Sequence, residues 1–377
     1  MTTKVPWWAR CIRQSLRSAI RSDKPIHVLI CIADHYEPGV GSAGIEQSDA
    51  RVRSWVEGYP NLFSQLRDSD GQPPRHTFFY PLEMYRAQEV DQIATLCRMG
   101  FGEIEIHLHH DKDTSENLRR SLLEYKQLLH ERHGLLPRRK SDGELQYAFV
   151  HGNWALDNSR PDGCWCGVNN ELDVLRETGC YADFTLPSFP SATQTRKINS
   201  IYYAIDDPQS PKSHDWGTDV GSDQPRGNAL MLIQGPLLMN WKNRKWGIVP
   251  RAENACIQGN QPPTMQRLDL WLKARVQIAS RPDWYFVKLH THGAPEANQT
   301  ILLGNPMVHF HQDLATRASQ NPNFHYHYVT AREMYNLAKA AEAGWTGSVA
   351  AARDFELVWE AGRGACATVN DETHDAP

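Results

Sequence analysis

The sequence predicts an α/β fold, a barrel of parallel strands with its chemistry at the strand C-termini. Three observations lead there. Strand-like and helix-like segments alternate along all 377 residues. The first strand, Ile26 to Ala33, is a near-continuous apolar run, as a strand buried on both faces requires. Several strands end in ionisable residues: Asp34, His35 and Glu37 follow the first, His107, His109 and Asp111 close the third, His151 the fourth, and His290 and His292 the last clear one.

In chain order, Trp8, Ile12, Leu16 and Ile20 recur every four residues with arginines between, which predicts a short basic amphipathic helix over residues 1–24. It is expected to pack on the domain or to lie on a membrane surface. After the first strand, Val52, Trp55, Val56, Tyr59 and Phe63 give a helix over 48–66, broken by Pro73-Pro74. His76 to Tyr80 is a second strand, and 87–99 a helix closed by Gly100. In the third strand Ile104, Ile106 and Leu108 alternate with Glu103, Glu105, His107 and His109. Its helix runs from helix-start residues near Thr114 to about His133. Leu145 to Val150 is the fourth strand, Asn170 to Glu177 a helix, and Ala182 to Thr185 a fifth strand. Residues 187–228, rich in Pro, Ser, Asp and Gly, are expected to form a long loop over the site. Strands at Ala229 to Gln234 and Trp284 to Leu289 and helices over 264–279, 308–320 and 331–343 follow, with a short strand at 328–330. The predicted domains are the helix of 1–24, the α/β domain of 25–345, and a C-terminal helix with a disordered tail over 346–377.

Composition narrows the function. Forty basic and 44 acidic residues give a net charge of −4, which does not describe a general nucleic-acid surface. Eight scattered cysteines are not the disulfide framework of a small secreted domain, and the pair Cys164-Trp165-Cys166 reads as a structural loop. No run is apolar enough to span a bilayer, and arginines interrupt any signal-peptide core, so a cytoplasmic protein is expected. No Gly-rich phosphate loop follows the first strand and no G-x-S-x-G elbow occurs, which argues against dinucleotide and serine-hydrolase chemistry.

The polar face of the third strand is the sharpest signal. Carboxylates and imidazoles lose hydration in a buried strand unless something pairs with them, and a divalent metal is such a partner. His107 and Asp111, four apart, meet on one ion if the chain turns helical after the strand. Imidazoles and carboxylates converging at one barrel mouth suit a catalytic metal, most often zinc, beside an acid and a base.

These motifs, in this order, resemble the polysaccharide deacetylase family (NodB homology, carbohydrate esterase family 4 type). Asp34-His35 matches the family's Asp-Asp, Thr77-Phe78-Phe79 its Thr-Phe-Phe strand, and Glu103 to His107 with Asp111 its second motif. Gly179-Cys180-Tyr181-Ala182-Asp183 is similar to Gly-Tyr-x-x-Asp, Val287 to His290 to the last Leu-His motif, and Thr330 to Met334 to the terminal strand-to-helix step. The third motif departs: His151-Gly152-Asn153-Trp154 stands where the family has Arg-x-Pro-aromatic. The resemblance implies a distorted (β/α) barrel of about seven strands, as in the glycoside hydrolase/deacetylase superfamily. It implies a metal-dependent hydrolase removing an N- or O-acetyl group from a sugar or a lipid-linked glycan precursor. Asp34 would be the base, His35, His107 and Asp111 the ligands of a divalent ion such as Zn2+, and His290 the acid. The histidine in the first motif leaves Asp34 as base or ligand, and Glu37, His109, His151 and His292 are further candidates: Glu37 as substitute in that motif, His109 in place of Asp111, His292 in place of His290, and His151 or Asn153 to orient the base. The altered motifs also allow a non-catalytic carbohydrate-binding protein, or an amidohydrolase of another carbon–nitrogen bond.

Overall fold

The structure, a computed structural model, describes residues 6–18, 24–222 and 227–360. Eleven strands form one sheet: β1 (Ile26–His35), β2 (His76–Pro81), β3 (Gly102–Leu108), β4 (Tyr147–His151), β5 (Cys180–Asp183), β6 (Ile201–Ile205), β7 (Thr218–Asp219), β8 (Ala229–Ile233), β9 (Cys256–Ile257), β10 (Trp284–Thr291) and β11 (Phe324–Tyr328). The order is β9-β10-β1-β2-β3-β4-β5-β8-β6-β7, with β11 also on β1. Pairings are parallel except around β6, which runs antiparallel to β7 and β8. β10 lies along β1 from His27↔Trp284 to Asp34↔Thr291. β11 takes the N-terminal half of β1, and β2 its C-terminal end. The class is therefore mixed α/β with a large, mostly parallel sheet. Among the described residues no ladder joins the two ends of this path, so the pairings do not show a closed barrel.

Alternation divides the sheet into two buried faces. Val28, Ile30, Ile32, Ile104 and Ile106 pack towards the helices Ile45–Phe63, Ala87–Leu96 and Ser115–His133. Leu29, Cys31, Ala33, Phe79, Ala148, Val150, Met231, Ile233 and Phe286 share a second core with the helix Ala331–Glu342. That helix starts in a capping box between Thr330 and Glu333 and is buried almost all round. Following the second face to the strand ends leads to His35 on β1, His107 on β3 and His290 on β10. Asp34 belongs to the other face.

Most expected elements are present, with shifted ends. The helix expected over 264–279 stops at Ala274, where Arg275 turns to φ 53°. The helix expected from 308 starts at Asn305, and Glu296–Leu302 forms a further helix before it. The excursion over 187–228 is not a plain loop, for it contributes β6 and β7. A hairpin of Leu238–Lys245 and Val249–Glu253 was not foreseen. The N-terminal helix, Trp7–Ser15, does pack on the domain, but through Cys11 and Ser15; Trp8 and Leu16 of the apolar stripe are 53% and 67% exposed. Ile20 and residues 361–377, including the tail predicted to be disordered, lie outside the described residues. Residues 349–352 are helical, and Leu357–Val358 pairs with Arg138–Arg139. No described helix is long and apolar enough to cross a membrane.

Candidate metal centres

The polar face of β3 shows how the site arises. Glu103 accepts both arms of the Arg332 guanidinium, at 2.8 and 3.1 Å on one oxygen. Glu105 accepts the Tyr181 hydroxyl at 2.6 Å and the Ala148 N–H at 2.6 Å. His107 Nδ1 donates to the Val150 carbonyl at 2.7 Å. That bond fixes the tautomer and leaves Nε2 as a lone pair, buried and without a hydrogen-bond partner. Two of the three polar side chains are satisfied by the protein; the third points a bare donor atom at the strand end.

Around that atom the structure gathers residues from three places. Glu37, just beyond β1, sets Oε1 3.5 Å from His107 Nε2 and 3.0 Å from His109 Nε2. Its Oε2 accepts from His292 Nδ1 at 2.9 Å. His109 Nδ1 is held by the Glu83 carboxylate. Gly152 is required here, because a Cβ would sit 2.2 Å from His109 Cδ2. The His35 ring centre lies 5.1 Å from that of His107 and 4.8 Å from that of His292, with a bare, buried Nε2 of its own.

The electrostatics follow from burial and neighbours. Burial alone would raise the Glu37 carboxyl, but the adjacent His107 ring and the N–H groups of His109 and His292 hold it far below the usual carboxylate range. Burial pulls His109 down, yet Glu37 and Glu83 outweigh it and bring the ring to about 9. His35 is held well below its ordinary value by burial, then by His292 and His107. His290 is likewise lowered, by burial and by Lys288 and His292. Glu37, His107 and His109, with orphaned imidazole nitrogens around an anionic carboxylate, form a group that could hold a metal ion.

Not every predicted residue joins this group. Asp34 is fully buried on the opposite face, with Oδ2 2.8 Å from His76 Nε2 and Oδ1 accepting the Gly293 N–H at 2.6 Å. Asp111 is exposed, and its Oδ1 takes the Trp165 N–H at 2.6 Å; His109 stands beside His107 in its place. His290 is buried at the end of β10 with Nδ1 unpartnered. His151 belongs to a second group with His110, Cys166 and Glu171. Of these, His151 and the histidine-rich end of β3 with His110 are marked by the sequence, whereas Glu171, and Glu83 of the first group, carry no local pattern that marks them. A third group, Asp68, Asp70 and His327, already holds the Arg353 guanidinium at 3.2 and 3.0 Å from its two aspartates.

No family model matches the chain, and no curated protein matches it.

Proposed function

We propose that the chain is a metal-dependent hydrolase that deacetylates an N-acetylated or O-acetylated sugar or glycan precursor. The observation that carries the reading is the Glu37/His107/His109 cluster at the end of the sheet's second face, with the bare Nε2 of His107 in it and the His35 ring, its own Nε2 bare, 5.1 Å from the His107 ring. The motif order resembling polysaccharide deacetylases supplies the substrate class. The curled sheet is read as that family's distorted barrel. In support, Lys288 on β10 donates to the Leu186 carbonyl at 2.7 Å, reaching across to the segment after β5.

In this reading His107, His109 and Glu37 hold the ion, which we take to be Zn2+, and His35 completes the donor set. When bound, such an ion lowers the pKa of water and polarises a carbonyl. His292, 34% exposed on its side chain and with Nδ1 on Glu37, is placed to move a proton between water and leaving group. Asp34 is a positioning residue: by accepting the Gly293 N–H it fixes the turn that presents His292. Acetate release from acetylated amino-sugar oligomers, measured for wild type and His107→Ala, tests the proposal. Loss of release in the variant is expected; undiminished release from a metal-free variant would sink it.

The missing Arg-x-Pro motif favours one second reading, a carbohydrate-binding protein without turnover. Tight glycan binding with no metal and no acetate release would select it. Cleavage of a different carbon–nitrogen bond keeps the same site with another substrate.

The reading places the protein in the cytoplasm, with peripheral contact to an anionic membrane. Trp8 and Leu16 face outward beside Arg10 and Arg13, and the nearby hairpin exposes Trp246 and Ile248 (78% and 77%) beside Lys242, Arg244 and Lys245. Co-sedimentation with anionic vesicles is expected to drop in Trp246→Ser; equal sedimentation of variant and wild type would remove this contact.

A further inference from the structure

We propose a second metal site, a structural zinc held by His110, His151, Cys166 and Glu171. The four come from separate segments: the turn after β3, the end of β4, the loop that follows it, and the first turn of the helix Glu171–Glu177. Three of the four are fully buried, and the His110 side chain is only 7% exposed.

The case rests on where the nitrogens point. His151 Nδ1 donates to the Gly152 carbonyl at 2.6 Å, so Nε2 carries the lone pair. That lone pair is buried without a hydrogen-bond partner and lies 3.4 Å from Glu171 Oε1, itself an acceptor. Two acceptors facing each other out of water repel unless a cation lies between them. His110 Nε2 converges on the same oxygen at 3.1 Å, while its Nδ1 stands 3.2 Å from Asp113 Oδ2. An imidazole with its outer nitrogen against a carbonyl or carboxylate and its inner nitrogen in a cluster is the usual arrangement of a metal-bound histidine. Cys166 Sγ completes the set 3.4 Å from Glu171 Oε2. The two separations to Oε1, 3.1 and 3.4 Å, lie close to the edge of a tetrahedron with zinc bonds of about 2.0–2.3 Å, which is roughly 3.3–3.8 Å, and one ligand atom from each of the four residues lies within 4.8 Å of the others.

The cradle is built by the chain around it. Trp165 N–H donates to Asp111 and Asp113 N–H to the Cys166 carbonyl, zipping the cysteine loop onto the His110 turn. Gly167, at φ 99°, makes this approach possible, since a Cβ there would meet the Asp113 nitrogen at 2.7 Å. Asp68, Asp70 and His327 differ in having the Arg353 guanidinium as their cation, whereas among the described residues no Lys or Arg pairs with Glu171, whose basic neighbours are the His110 and His151 rings of the cluster itself. Binding would take the thiol proton from Cys166 to solvent and leave a thiolate on the ion. Thiolate with two imidazoles selects zinc over calcium or magnesium. An ion closed off by four protein donors is structural.

The test is cobalt substitution of the full chain. The site of Glu37, His107 and His109 has no sulfur, so a thiolate-to-cobalt charge-transfer band in the near ultraviolet reports this second site alone. We expect the band in wild type and in His107→Ala, its loss in Cys166→Ser, and its retention in Cys164→Ser. Zinc content is expected at two per chain in wild type and one in His107→Ala. A cobalt-saturated wild type without the band, a failure to take up cobalt, or a band unchanged in Cys166→Ser would overturn the site. If Cys166→Ser does not fold, the band in His107→Ala decides.

Discussion

His107 Nε2 is the bare atom on β3, and its bareness has a cause: the Val150 carbonyl takes the proton of the other ring nitrogen. Losing the His107 ring should therefore remove a ligand while leaving the strand's other pairs intact. Gly152→Ala makes the complementary test, because the new Cβ displaces His109 without touching a ligand's chemistry. Metal affinity, measured by competition with a chelator, is expected to fall by about 10–100-fold, as when a ligand's supporting shell is disturbed. Asp34 predicts the opposite pattern. Asp34→Ala orphans two buried donors, His76 Nε2 and Gly293 N–H, at about 1–3 kcal/mol each. Urea unfolding should show that loss while zinc content stays at the wild-type level. Asp34 beside His35 reads alike from sequence; only strand alternation, followed into three dimensions, puts one on each face.

β3 carries the same lesson at the scale of an element. Its alternating pattern makes plain that Glu103, Glu105 and His107 share a face and need partners. What the sequence cannot place is the partner, because Arg332 lies 229 residues away from Glu103 and Tyr181 76 from Glu105. Arg332→Ala should destabilise the fold by about 3–5 kcal/mol, because it strands a buried carboxylate. Glu105 gives a pH test. Burial pushes its carboxyl up from 4.5 to about 8, against the hydrogen bonds from Tyr181 and Ala148. The folded state therefore holds a proton that the unfolded chain has released across this window. Its stabilising contribution is full below the unfolded value and is lost as pH rises through the folded one, at up to about 1.4 kcal/mol per pH unit. Glu105→Gln should flatten that decline; identical pH slopes in urea unfolding of variant and wild type would refute the assignment.

Over the whole molecule, the α/β class and most elements were legible because long apolar periods and capping residues are local. The capping Thr114, which accepts the Asn117 N–H, and Gly134 in the left-handed region delimit one helix at the expected ends. The strands β6 and β7 were not legible, since they are short and set among turn residues. Nor was the face on which the N-terminal helix packs, because Cys11 and Ser15 dock against Leu237 and Met239 of the unforeseen hairpin region. The gathering of Glu37 with His107, His109 and His292 needed the fold, since it depends on β1, β3 and β10 ending at one level. Metal content of the purified protein, wild type beside His107→Ala, tests that gathering most directly. The account predicts that the variant, still folded, loses one equivalent of zinc per chain. Metal content unchanged by the substitution would contradict it.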